Sequence, residues 1–344
     1  MEATDRTIED GDELFEHFKY VADPGQQLLR VDKFLCDRLP NTSRNRIQLS
    51  AKAGFVKVND ASVKPNFRIR PHDVITLELP FPIRDKELVP EDLDLEILYE
   101  DDEVLVLNKE AGMVVHPGYG NYTGTMVHGL MHHFNKLPSG SNPQRPGLVH
   151  RLDKLTTGVM VVAKSDDSLA HLAKQFYDRS TERRYWALVW GDLSEDGTVT
   201  GNLARSLKNR KLMEVYEDPS IGKHAVTHYK VIKRLGYVTL VECKLETGRT
   251  HQIRVHMKHI GHPLFNDIEY GGDKILKGTV FTKYRQFVMN CFSLIPGQAL
   301  HAKSLGFEHP KTGKFMSFEK EVPEGYSQLL EKWERYSKQM LDSE

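Results

Sequence analysis

Between residues 80 and 95 the chain carries Pro80, Pro82 and Pro90 among acidic side chains. Proline lacks a backbone donor and like charges repel, so such a stretch resists packing into a core. It divides the 344-residue chain into a short N-terminal part and a long C-terminal part, each burying its own apolar surface. With 39% hydrophobic and 28% charged residues, there is apolar material for two cores. The boundaries expected are an acidic arm over 1–24, a small domain over 25–80, a linker over 81–92 and a large domain over 93–335.

Several classes are excluded early. No apolar run approaches the roughly 20 residues of a membrane helix. The start, Met1 to Asp5, lacks the basic and apolar regions of a secretory signal. Cys36, Cys243 and Cys291 are scattered without a CxxC pair, which argues against a disulfide framework or a cysteine zinc site. The expectation is a soluble, cytoplasmic, monomeric protein without membrane contact.

The formal net charge of −1 hides a segregated distribution. Residues 1–24 carry eight acidic and two basic side chains, and residues 81–102 nine acidic and two basic. Residues 25–80 carry ten basic and five acidic, so two acidic segments mask a basic block. A basic block is the footprint of a phosphate-backbone partner, although a solvated lysine-rich face reads the same way.

Within that block, Leu28, Val31, Phe34, Leu35 and Leu39 fall at helical spacing, and Pro40 stops the helix. Ser43 is placed to cap a second helix from Arg44 to Ala53, with Gly54 at its C-terminal end. Phe55, Val56 and Val58 read as a strand, Asn59-Asp60 as a turn, and Val74 to Leu79 as a closing strand. Arg44 and Arg46 open the second helix, which would let cations and helix-terminal amides meet a phosphate together; Lys57 lies on the strand that follows. The unit resembles the S4 RNA-binding module in its R-V-D-K-F-L, S-R-N-R-I-Q, G-F-V-K-V-N and R-P-H-D-V-I segments. The alternative is a helical hairpin with a solvated basic face.

The long part reads as α+β. Ile97 to Tyr99 and Val104 to Leu107 form a hairpin, Val159 to Ala163 is a buried strand, and Ser165 caps an amphipathic helix. Arg184 to Trp190, Ala225 to Ile232 and Val238 to Leu245 read as further strands. Four segments stand out: Lys109 to Gly118, Arg145 to Gly158, Arg184 to Val189, and Leu245 to His256 followed by Gly261 to Leu264. Singly, each has a plain structural reading. Asp153 suits a turn, Tyr185 a core strand. His251 and His256, five apart, do not share a helical face and no HExxH completes a metal set. GxGxxG and GxxxxGK[ST] are absent, so no nucleotide cofactor is expected.

Together the four segments resemble the catalytic domain of the RluA family of pseudouridine synthases. His150 to Gly158 matches the hallmark H-R-L-D-x-x-T-[ST]-G, and Gly248 to His256 matches G-R-T-H-Q-I-R-V-H, in the family's order. V-V-H-P-G-Y-G-N-Y-T-G-T, R-P-G-L-V-H-R-L-D-K and A-V-T-H-Y-K look closest to the branch acting on large-subunit ribosomal RNA. Two positions depart: Glu110 stands where the family has Pro, and Asn266, beside Asp267, where it has Gly.

The resemblance implies a small α/β S4 module followed by a catalytic domain with a central mixed, largely antiparallel sheet. It implies a reaction that moves uracil from an N1–C1′ to a C5–C1′ bond, with no metal or other cofactor. Asp153 is the implied nucleophile or base. Arg254 is its implied guanidinium partner, with Arg249 second, and Tyr185 stacks on uracil and accepts the C5 proton. The target uridine must flip out of its helix, and Arg151 then fills the gap or holds phosphates. Lys109, Lys154 and His251 are implied backbone contacts. The linker would raise the effective concentration of the tethered S4 unit at the RNA. The expected partner is large-subunit rRNA or its precursor particle. The alternatives are a tRNA-directed synthase, a non-catalytic RNA-binding or ribosome-assembly factor, and a metal-dependent hydrolase drawing on the sixteen histidines.

Overall fold

The computed structural model describes residues 14–39, 42–79, 88–118, 120–134, 137–140, 145–279 and 281–341. Residues 1–13 of the expected arm, the helix stop at Pro40, Pro80, and residues 81–87 of the expected linker lie outside the described residues. The chain forms two compact units, Met1–Glu87 and Leu88–Glu344.

The first unit contains β1 (Phe15–Val21), β2 (Leu29–Arg30), α1 (Val31–Arg38), α2 (Arg44–Lys52), β3 (Val56–Val58), β4 (Ala61–Ser62), β5 (Arg68–Ile69) and β6 (Val74–Leu79). Its main sheet runs β1-β6-β3-β4, and β2 pairs with β5. Ser43 caps α2 by accepting from the Arg46 amide, and Gly54 follows that helix at φ +85°, as its spacing predicts. Val31, Phe34, Leu35, Ile47, Val56 and Ile75 are buried in the core.

The acidic arm expected through residue 24 is corrected by β1, which pairs antiparallel with β6 from Phe15 to Val21. Aromatic packing outweighs the acidic neighbours there: Phe18 and Tyr20 pack against the core, and the Tyr20 ring meets Phe34 edge-on at 5.3 Å.

The second unit continues with β7 (Glu96–Glu100), β8 (Val104–Lys109), α3 (Met126–His133), β9 (Thr157–Ala163), α4 (Asp166–Asp178), β10 (Glu182–Trp190), β11 (Gly197–Arg205), β12 (Met213–Tyr216), β13 (Lys223–Arg234), β14 (Val238–Leu245), α5 (Gln252–His259), α6 (Thr282–Phe292), β15 (Leu300–Glu308), β16 (Phe315–Glu319) and α7 (Glu324–Leu341). Among the described residues these strands form a ten-stranded sheet, β12-β11-β13-β14-β10-β15-β9-β8-β7, with β16 added to β15. The β9–β15 pairing is parallel and its neighbours are antiparallel, giving the mixed α+β sheet.

Strand alternation on β10 sorts the two cores. Tyr185, Ala187 and Val189 face one core with residues of α3 and α5. Leu188 and Trp190 face the other, where Trp333 of α7 meets the Trp190 ring at 6.1 Å and that of Phe287 at 4.9 Å. The unit also extends past the boundaries expected for it. The Glu91 amide donates to the His128 carbonyl at 3.1 Å and the Glu91 carboxylate accepts from the Gly124 amide, so the linker does not reach residue 92. Residue 335 falls inside α7. No helix among the described residues is long and apolar enough to cross a membrane.

Candidate active site

Asp153 lies on the turn that feeds β9, Tyr185 on β10 and Arg254 on α5. All three line one cleft of about 370 Å³, together with Arg151, Arg249 and His251. The hallmark threonines hold the turn. Gln298 donates to the Thr156 hydroxyl at 3.2 Å, and the Thr157 hydroxyl lies 2.7 Å from His301 Nδ1. His301 Nε2 lies 2.9 Å from the Lys320 carbonyl and must donate there, so Nδ1 is free to accept from Thr157. Gly158 is required sterically. Its φ is +116°, and a Cβ would stand 2.3 Å from the Ala302 carbonyl oxygen, where β9 meets β15.

Ahead of α5, His251 takes the left-handed region at φ +54°, uncommon for a side-chain-bearing residue. Gln252 fastens this bend: its oxygen accepts from the Thr247 hydroxyl and the Arg249 amide, and its nitrogen donates to the Val226 carbonyl. The helix then aims Arg254 inward, 3% exposed.

Arg254 is surrounded by carboxylates. Its Nη1 donates to Asp153 Oδ2 at 3.1 Å. Nε and Nη2 make a two-pronged pair with Asp267 at 2.7 and 2.8 Å, and Nη2 also reaches Glu269 at 2.6 Å. Burial opposes the charge on the guanidinium, but the hydrogen bonds and charge of Asp267, with Asp153 and Glu269 behind them, raise its pKa well above the arginine norm. Asp153 therefore faces a permanent cation. Asp267, fully buried, is the anchor that sequence reasoning missed, although it stands next to the departure at Asn266. Asn266 has φ +62°, a conformation asparagine tolerates, and its side-chain nitrogen donates to the Phe292 and Ile295 carbonyls. That accounts for asparagine where the resemblance leads one to expect glycine.

His251 stands beside the same carboxylate, with Nε2 3.8 Å from Asp153 Oδ1. The Tyr270 hydroxyl accepts from the Met213 amide at 3.0 Å and lies 2.9 Å from His251 Nδ1. When the phenol donates to Nδ1, the ring carries its own proton on Nε2, the nitrogen facing Asp153. Burial lowers the His251 pKa against the pull of Asp153, so the ring is neutral near pH 7. The structure thus brings His251 into the catalytic cleft rather than onto an outer face. Tyr185 is 8% exposed, and burial, with Asp153 adding to it, raises its phenol above the usual tyrosine value.

Lys109 requires a correction. It was expected to touch the RNA backbone, yet it is 1% exposed and its ammonium donates to the carbonyls of Glu110, Met113 and Lys154 at 2.7, 2.9 and 3.1 Å. Burial pushes its pKa down to about 7, but three carbonyl acceptors occupy all three N–H bonds of the charged form. Lys109 ties the Gly-studded loop to the Asp153 turn. His150, half-buried at the cleft wall, is also tied inward: Nε2 accepts from the Val161 amide at 3.1 Å, the ring stacks on Phe176, and burial pushes its pKa down to about 3.

The remaining expected contacts are more exposed. Arg151 is exposed at the cleft, Lys154 donates to Asn121 at 2.8 Å, and Arg249 Nε donates to the His224 carbonyl. In the first unit Arg46 is exposed, and Lys57 is held by Glu78 at 2.7 Å. Arg30 and Arg44 both bind Asp32, which is fully buried. Burial opposes ionisation of Asp32, but hydrogen bonds from Arg30, Gln48 and Arg44 outweigh it and hold the carboxyl far below its normal range. Among the described residues no three His, Cys, Asp or Glu side chains gather to hold a metal ion.

The sequence profile of RNA pseudouridylate synthases matches residues 103–259, and that of the S4 domain matches residues 29–75. An uncharacterized RNA pseudouridine synthase of Chlorobaculum parvum is 44% identical over 89% of this chain and 94% of its own length. The ribosomal large subunit pseudouridine synthase D of Zymomonas mobilis is 43% identical over 88% of this chain and 92% of its own. Among solved structures, human RNA pseudouridylate synthase domain containing 4 shares the fold at a TM-score of 0.52 and 23% identity, covering 69% of this chain and 92% of that one. Identity at this level over nearly the whole length, with Asp153 and Arg254 paired in the cleft, places the chain in the family of RNA pseudouridine synthases that carry an S4 domain.

Proposed function

We propose that the protein converts uridines of large-subunit ribosomal RNA to pseudouridine, with Asp153 as the reacting carboxylate. The observation carrying this reading is the 3.1 Å contact of Arg254 with Asp153 inside the cleft. The choice of RNA rests on relatives named ribosomal large subunit pseudouridine synthase D, 41 to 43% identical over 88% of this chain. That substrate puts the work in the cytoplasm, and one chain supplies every group named below.

The extruded uridine enters the cleft, and Arg151 takes its place in the helix or holds the flanking phosphates. Asp153 acts at the sugar, by attack at C1′ or by removing the 2′ proton, as the N1–C1′ bond breaks. The base turns and C5 bonds to C1′; C5 then loses its proton and N1 gains one, so the change is an isomerisation. Tyr185 forms a wall against the base. Its phenol is protonated at neutral pH, so it takes the C5 proton only while giving up its own. Arg254 stabilises negative charge on Asp153 as water is expelled, while Arg249, Lys154 and His251 line the approach. In the S4 unit, Arg30, Arg44 and Arg46 meet phosphates.

The test is to offer the protein unmodified transcripts of large-subunit rRNA, small-subunit rRNA and pooled tRNA, and to map pseudouridine chemically. Modification of the large-subunit transcript alone is expected. Modification confined to tRNA would reject the substrate assigned here, and binding without modification of any RNA would reject the enzymatic reading.

A further inference from the structure

The hairpin turn between β11 and β12 is an exposed basic feature that the site above does not use. Residues 205–213 contain Arg205, Lys208, Arg210 and Lys211 and no acid. Leu207 at their centre is 85% exposed. Among the described residues Leu207 belongs to no buried apolar cluster, so its side chain is open to contact from outside. The side chains of Lys208, Arg210 and Lys211 have no hydrogen bond or ion pair among the described residues.

The turn is nevertheless built. The Ser206 hydroxyl accepts from the Lys208 and Asn209 amides, each at 3.2 Å. Asn209 Oδ1 accepts from the Lys211 amide at 3.1 Å, and Arg205 Nη1 donates to the Arg210 carbonyl at 2.7 Å. Below the tip, Leu212 and Met213 pack against a buried cluster of Leu203, Ala225, Tyr270 and Val255 of α5, and the Met213 amide donates to the Tyr270 hydroxyl. Tyr270 in turn contacts His251, which faces Asp153. A fixed backbone, an apolar tip and free cations thus stand on the same helix and tyrosine that support the catalytic groups.

We propose that this turn, residues 205–212, is a separate RNA contact of the catalytic unit: Lys208, Arg210 and Lys211 engage phosphates flanking the target, and Leu207 packs on a base or ribose face. The proposal rests on the RNA substrate proposed above. Phosphate contacts release counterions and so depend on salt, whereas apolar contact does not. The two parts of the turn therefore carry different signatures.

The experiment uses the full chain and an unmodified large-subunit rRNA transcript. It measures the dissociation constant against salt and the single-turnover rate at saturating RNA. Replacing Lys208, Arg210 and Lys211 together by Gln is expected to weaken binding about a hundredfold near ~0.1 M salt and to make the log–log salt slope shallower by about 2. The saturated rate and melting temperature should stay unchanged. Leu207→Ala should weaken binding severalfold with the slope intact, and Lys208→Arg with Lys211→Arg should bind as wild type. Unchanged binding and slope in the triple variant, or a fall in saturated rate with binding intact, would overturn the proposal. If wild type binds the transcript but modifies no uridine in it, the substrate reading fails, and the turn is still judged by its binding constants and slopes.

Discussion

Arg254 and Asp267 are locked by two parallel hydrogen bonds, 2.7 and 2.8 Å, with both side chains buried. This fork fixes the plane of the guanidinium and leaves Nη1 directed at Asp153. Asp267 is thus a positioning residue that acts through Arg254. Asp267→Asn keeps the volume but removes the charge. We expect kcat to fall about a hundredfold, the range of a misplaced catalytic group, while KM for RNA changes less than threefold. Steady-state kinetics make the distinction: a rise in KM at constant kcat would assign Asp267 to binding instead.

Lys109→Met should destabilise the catalytic unit by about 3 kcal/mol or more, because three buried carbonyls lose their donor together. Urea unfolding measures it. Salt-dependent loss of RNA affinity without loss of stability would restore Lys109 as a backbone contact.

Gly158→Ala should prevent the close approach of β9 to β15. A Cβ 2.3 Å from the Ala302 oxygen meets backbone, which cannot swing aside, and φ +116° is strained for alanine. Denaturation should show a loss of at least about 3 kcal/mol, typical of severe steric mutations. A stability within about 0.5 kcal/mol of wild type would contradict this reading of the β9–β15 contact.

His256 is fully buried, with Nδ1 at 2.9 Å from the Thr227 hydroxyl, and burial pushes its pKa down to about 4. Its ordinary value is near 6.5. Between those values the unfolded chain binds a proton that the folded chain refuses, so this contribution to stability is complete above 6.5 and lost as pH falls toward 4. His256→Asn should therefore flatten the fall in stability between pH 6 and 5 by about 1 kcal/mol per pH unit. Urea melts across that window check it, and an unchanged slope would contradict it.

Much of this was legible in the sequence where local signals carry the structure. Ser43, Gly54 and the Asn59-Asp60 turn follow from capping and left-handed preferences. The Asp153–Arg254 pairing came from motif resemblance, since the two lie 101 positions apart and no local pattern links them. The misses have physical causes. Lys109 at a strand end looks like a surface cation, and only the folded loop supplies its three carbonyls. Strand β15 carries His301, Lys303 and Ser304, which disguise a buried strand as a polar segment; two of them hydrogen-bond Thr157 and Glu321. In β1, acidic neighbours hide aromatic residues whose partners lie in other elements. Asp267 was visible as a neighbour of Asn266, but its charge acquires meaning only when α5 brings Arg254 beside it.

The most direct test is to compare wild type with Asp153→Asn on the same unmodified large-subunit rRNA transcript, mapping pseudouridine and measuring RNA affinity in parallel. The account predicts that the variant forms no detectable pseudouridine while binding RNA within about threefold of wild type, since the substitution removes one acid group and no cation. Equal pseudouridine formation by both proteins would contradict it.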